Sequence, residues 1–169
     1  ALEIVEKSAL PRTGEGHLAV HQIGFYAYQK YGKESILHCK DYFLYACYHG
    51  AIIEAASTQG FPIIKEMTDI CKKYAVRHFQ CVHAAGHSIN AIWDYALDKA
   101  LKTCDELYEA ETKFPEALSS CHNGVFMENL FGVHDWGKGE TPQREWIRDD
   151  DPYFPCTAFA EKYQRGCWL

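Results

Sequence analysis

Cys81-Val82-His83-Ala84-Ala85-Gly86-His87 is the middle member of three related phrases in this chain. The first is Cys47-Tyr48-His49-Gly50, running on to Glu54, and the third is Cys121-His122-Asn123-Gly124, running on to Glu128. Two residues after each cysteine stands His49, His83 or Asn123, and three after it stands Gly50, Ala84 or Gly124. The first two cysteines are 34 residues apart and the last two 40, the period of stacked helical hairpins. A small residue beside each histidine or asparagine predicts helix backbones in close contact around a shared polar centre.

Outward from these phrases the text reads as helix punctuated by proline and glycine. Gly14-Glu15-Gly16 precedes a helix from about His17 to Tyr31, stopped by Gly32. Asp41 is placed to cap a helix through about Ala56, and Gly60-Phe61-Pro62 opens the next, with proline at an early helical position. Further helices are expected over Phe79–Tyr95, Leu97–Tyr108 and Pro115–Val133, and a last one near Cys156. Residues 134–155, rich in glycine, proline and aspartate, read as an irregular connection. No segment alternates apolar and polar residues as a half-buried strand does. The expectation is a single all-α domain over 1–169, a stacked repeat array of antiparallel hairpins. In period and layout it resembles tetratricopeptide-type repeats, without their tryptophan-leucine-glycine-tyrosine signature.

The eight cysteines fall into four near pairs: Cys39 with Cys47, Cys71 with Cys81, Cys104 with Cys121, and Cys156 with Cys167. Eight cysteines allow about 105 connectivities, and one local bond per hairpin is the economical choice. Disulfides imply an extracytoplasmic protein, secreted, periplasmic or on a cell surface. No Cys-x2-Cys occurs, so zinc-knuckle and thioredoxin-type motifs lack their signature. A formal charge of -6 argues against nucleic acid as a partner, because phosphate backbones recruit basic surfaces. No apolar run approaches the length of a membrane span. The 14% aromatic content would suit contacts with a protein partner.

Two His-x3-His pairs carry the chemistry: His17 with His21, and His83 with His87. Side chains four apart on a helix lie one turn above the other and can chelate one ion. His49 occupies in its phrase the place of His83, so the five imidazoles form a candidate site for one or two transition-metal ions. Imidazole donors suit copper, zinc or iron and do not suit calcium or magnesium. Glu54 and Glu128, each seven residues after a cysteine, are candidates for a supporting shell or for a general base. His38, His78, His122 and His134 read as surface or loop residues, with His122 kept in view because it adjoins the third phrase. The helical pairs resemble those of oxygen-binding copper proteins such as haemocyanin and tyrosinase, over these two short motifs alone. That resemblance implies three histidines per ion, His49 completing one set and His122 the other. The functions consistent with the sequence are a copper or iron redox protein, a zinc hydrolase using Glu54 or Glu128, and a non-catalytic disulfide-bonded scaffold.

Overall fold

The computed structural model describes residues 1–73, 75–132 and 146–168, and every regular element among them is helical. The α-helices are α1 (Leu2–Glu6), α2 (Glu15–Tyr31), α3 (Ala46–Gln59), α4 (Phe61–Cys71), α5 (Ala75–Ile92), α6 (Leu97–Tyr108), α7 (Ala117–Phe131) and α8 (Glu161–Cys167). Short 3-10 turns cover Gly32–Leu37 and Cys156–Ala158. The core is a succession in which α2 packs on α3, α3 on α5 and α5 on α7. Helices α4 and α6 flank it, and α8 closes against α7. Among the described residues no helix is long and apolar enough to cross a membrane.

All four expected disulfides form: Cys39–Cys47, Cys71–Cys81, Cys104–Cys121 and Cys156–Cys167. Three of them join the cysteine that opens a phrase, carried on α3, α5 or α7, to the segment or helix that precedes that helix. The fourth ties the last 3-10 turn to α8. Each cross-link removes loop freedom from the unfolded chain, by convention worth roughly 2–4 kcal/mol.

Glycine sets how closely the core helices cross. A Cβ on Gly50 would lie 2.0 Å from the carbonyl oxygen of His21, and one on Gly124 would lie 2.0 Å from that of His83. Their opposite numbers repeat the match: a Cβ on Gly24 would meet the Cys47 carbonyl at 2.3 Å, and one on Gly86 the Cys121 carbonyl at 2.1 Å. The contact of α2 with α3 is thus built like that of α5 with α7. Its sequence signature is Val20-His21-x2-Gly24 repeated as Val82-His83-x2-Gly86, facing Cys47-x2-Gly50-x3-Glu54 repeated as Cys121-x2-Gly124-x3-Glu128. The three-phrase reading pairs α5 with α3 and α7. The glycine contacts add a second equivalence, of α2 with α5.

Several expected boundaries move. Helix α3 starts at Ala46, and Asp41 accepts a hydrogen bond from Tyr48 Oη at 3.4 Å in place of capping a helix. Between them Phe43, Leu44 and Tyr45 all take left-handed φ values of 51°, 54° and 61°, a conformation costing non-glycine residues about 1–3 kcal/mol each. Helix α5 begins at Ala75, before the expected Phe79. His78 is therefore a buried helical residue facing the Thr68 carbonyl through Nδ1 at 3.2 Å, which corrects its reading as a surface or loop residue. Of the irregular connection, 146–155 carries no helix, and 134–145, with His134, lies outside the described residues.

Gly124→Ala places a methyl group against backbone that has no rotamer to yield. It should destabilise the fold by about 1–3 kcal/mol, the usual range for overpacking, measured as a lowered urea midpoint. An unchanged midpoint would show that α5 and α7 do not cross this closely.

Candidate metal centre

The five histidines of the two helical pairs and the first phrase meet in space. His17 and His21 from α2, His49 from α3, and His83 and His87 from α5 line one cavity of about 270 Å³, completed by Leu44, Tyr45, Gln80, Met127 and Phe131. His21, His49 and His87 are buried, and His17 and His83 are half-buried. His49 stands in the middle. Its ring centre is 5.4 Å and 5.3 Å from those of His17 and His21, and 5.6 Å and 5.1 Å from those of His83 and His87.

Donor atoms converge within this cluster. The Nε2 atoms of His17 and His21 are 2.9 Å apart, and those of His83 and His87 are 3.0 Å apart. Two nitrogens each about 2.0–2.1 Å from one ion stand about 2.9 Å apart at a right angle and about 3.3 Å apart at the tetrahedral angle. Both pairs thus have the bite of a chelate. One nitrogen from each of His17, His21 and His49 lies within 4.8 Å of the others, and the same holds for His49, His83 and His87. His49 belongs to both triads.

Tautomers follow from the partners on the far side of the rings. His17 Nδ1 is 2.7 Å from the Phe43 carbonyl, which can only accept, so Nδ1 carries the proton. His87 Nδ1 is 2.9 Å from Glu128 Oε2 and donates to it. In a neutral ring this leaves Nε2 as a lone pair aimed inward in both cases, the usual arrangement behind a ligating histidine. Glu128 is fully buried, and its other oxygen accepts from Tyr95 Oη at 2.9 Å. His49 Nε2 is buried with no hydrogen-bond partner. An orphaned imidazole nitrogen costs about 1–3 kcal/mol in an apolar setting, and a cation between the triads would satisfy it.

Burial also sets the charge state. The His49 pKa lies well below the ordinary histidine value, through burial first and then repulsion by His87, His21, His83 and His17. Burial and the neighbouring His87 push His83 down to about 3, against a hydrogen bond with Asn123 that favours the proton. Neutral rings are the form that binds metal.

Backbone strain sits at the two anchors. Phe43, whose carbonyl holds His17, begins the left-handed run that also delivers Leu44 and Tyr45 to the cavity wall. Asp94 and Tyr95, with φ of 52° and 63°, form a second left-handed turn just past α5, and Tyr95 is the residue that reaches Glu128. Left-handed non-glycine residues persist where surrounding contacts hold them, commonly at functional sites.

Glu54 and His122 stand elsewhere. Glu54 is half-buried and accepts from Gln29 Nε2 at 2.9 Å, and it belongs to neither triad. His122 is fully buried, with Nε2 3.0 Å from Asp105 Oδ1, so it completes no histidine set. Asp105 also accepts from Lys162 and Tyr163 of α8 at 2.6 Å and 2.7 Å. His122 thereby joins a polar clasp holding α8 on the α6–α7 pair. His38 is exposed and stacks on Tyr31. Sequence reading passed over Tyr95 and the Phe43 carbonyl, the partners that orient His87 and His17. Neither carries a motif, because a backbone oxygen is anonymous and Tyr95 acts from 33 residues away.

No family model, no curated protein and no solved structure matches this chain.

The depressed histidines make the metal-free protein acid-sensitive. Above about pH 6.5 these rings are neutral in both states. Below it the unfolded chain takes up protons that folded His49 and His83 refuse, so stability falls from about 6.5 down toward the His83 value of about 3. Each such group removes about 1.4 kcal/mol per pH unit within that window. Urea midpoints of chelator-treated protein should drop steeply between about pH 7 and pH 5. A flat profile would contradict the neutral, buried cluster.

Proposed function

We propose that this chain is an extracytoplasmic metalloprotein whose five-histidine cluster holds transition-metal ions, copper foremost. The observation that carries the reading is the two close Nε2–Nε2 pairs, 2.9 Å and 3.0 Å across, on either side of His49, whose buried Nε2 has no hydrogen-bond partner. Among divalent first-row ions, copper has the highest affinity for nitrogen donors, and a rigid helical frame selects by geometry. The four disulfides support an oxidising compartment. The -6 charge keeps nucleic acid out of the reading.

Redox or metal-handling chemistry is favoured over zinc hydrolysis by the positions of the carboxylates. Metal-activated water is usually deprotonated by a nearby free base. Glu128 is engaged by His87 and Tyr95, and Glu54 by Gln29. Glu128 is better suited to fixing the His87 tautomer, a role in which loss of the partner lowers metal affinity about 10–100-fold. We further read the hairpins as a repeat array, on the support of the recurring phrase and the matched α2–α3 and α5–α7 contacts.

Protein purified without chelator should carry stoichiometric metal. His83→Ala combined with His87→Ala should release metal from its triad, and His49→Ala should weaken both triads. His38→Ala should leave metal content unchanged. Elemental analysis of the four proteins decides the matter, and unchanged content in the His83→Ala, His87→Ala variant would return the chain to a disulfide-bonded scaffold. Glu128→Gln should retain the fold and lose roughly tenfold or more in copper affinity by competition titration.

A further inference from the structure

A second, larger cavity of about 570 Å³ adjoins the histidine cluster and shares His83, Met127 and Phe131 with it. Its volume falls in the range of small-molecule sites, about 300–1,000 Å³. Five ring side chains stand in its wall: Phe126, Phe131, Trp146, Phe154 and Trp168. Trp146 and Phe154 lie nearly parallel, 11° apart with centres 5.7 Å apart, and the Arg148 guanidinium sits 4.2 Å from the Phe154 ring centre. Polar side chains stand among them, including Asn123, Asn129, Arg148 and Asp151.

Exposed apolar side chains gather at this place. Met127, Leu130, Phe131 and Trp168 are 41%, 59%, 60% and 52% exposed, and all four line the cavity. Such side chains in contact with solvent and rimmed by polar groups mark binding surfaces. Concave shape distinguishes this one from a flat docking face. A flat ring fits it, because parallel and edge-on aromatic contacts reward planar ligands beyond the area they bury.

We propose that this cavity binds a small planar aromatic molecule and holds it against the outer face of His83, beside the metal centre. The placement rests on the metal reading given above, whereas occupancy of the cavity does not. The ligand lies along α7, against the aromatic wall and within reach of Asn123, which lines the same cavity.

Indole, neutral and planar, is the probe. Saturation-transfer proton NMR on metal-free protein should show binding with a dissociation constant near the millimolar range expected of a fragment of this size. Trp168→Leu removes an exposed ring and Leu130→Glu sets a charge at the mouth. Each should weaken indole binding several-fold while circular dichroism stays unchanged. In protein loaded with copper(II) the bound indole resonances should broaden through the nearby paramagnetic ion. No binding to metal-free protein, or binding to both variants as tight as to the parent protein, would overturn the proposal. Binding without broadening while copper(II) is held would overturn the placement beside His83. Should the protein hold no copper, the copper reading fails, and the metal-free titration still decides whether the cavity is a site.

Discussion

Everything in this fold depends on two helix crossings so close that only glycine fits. At Gly50 the backbone of α3 lies against the His21 carbonyl, and at Gly124 that of α7 lies against the His83 carbonyl. Contact between main chains leaves side chains one or two residues away with nowhere to go but along the seam. His21 and His49 flank the first crossing, and His83 and Asn123 flank the second. The histidines are thus neighbours because of the backbone approach. The disulfides hold the same places, since Cys47 and Cys121 lie one turn before the two glycines.

That geometry carries an energetic cost which a cofactor would relieve. The cluster gathers imidazoles that burial keeps uncharged and leaves His49 Nε2 without a partner. Left-handed backbone at Phe43–Tyr45 and at Asp94–Tyr95 adds strain at the residues that orient His17 and, through Glu128, His87. An apolar core would need neither feature. Chelate spacing, fixed tautomers and neutral rings are together what a transition metal requires, and each arises from a different part of the chain.

Much of this was legible in the sequence. Cysteine proximity predicted all four bonds, because helical hairpins bring near neighbours in sequence together in space. The i, i+4 rule predicted that each histidine pair would meet on its helix, and the repeated phrase pointed to His49 beside them. Four things escaped, for physical reasons. The left-handed run at Phe43–Tyr45 has no glycine to announce it, so the start of α3 was misplaced. The Tyr95–Glu128 bond joins a helix end to a distant helix and leaves no local pattern. His122 was valued for its phrase, whereas packing turns it away from the cluster toward Asp105. The equivalence of Val20-His21-x2-Gly24 with Val82-His83-x2-Gly86 was visible, yet the cysteine-led phrases masked it because α2 has no cysteine.

The most direct measurement is X-ray absorption at the metal edge of protein isolated without chelator. The account predicts a first shell of nitrogen or oxygen scatterers at about 2.0–2.1 Å with the outer-shell pattern of several imidazoles and no sulfur. A sulfur shell, or protein that neither carries nor takes up copper, zinc or iron, would contradict it.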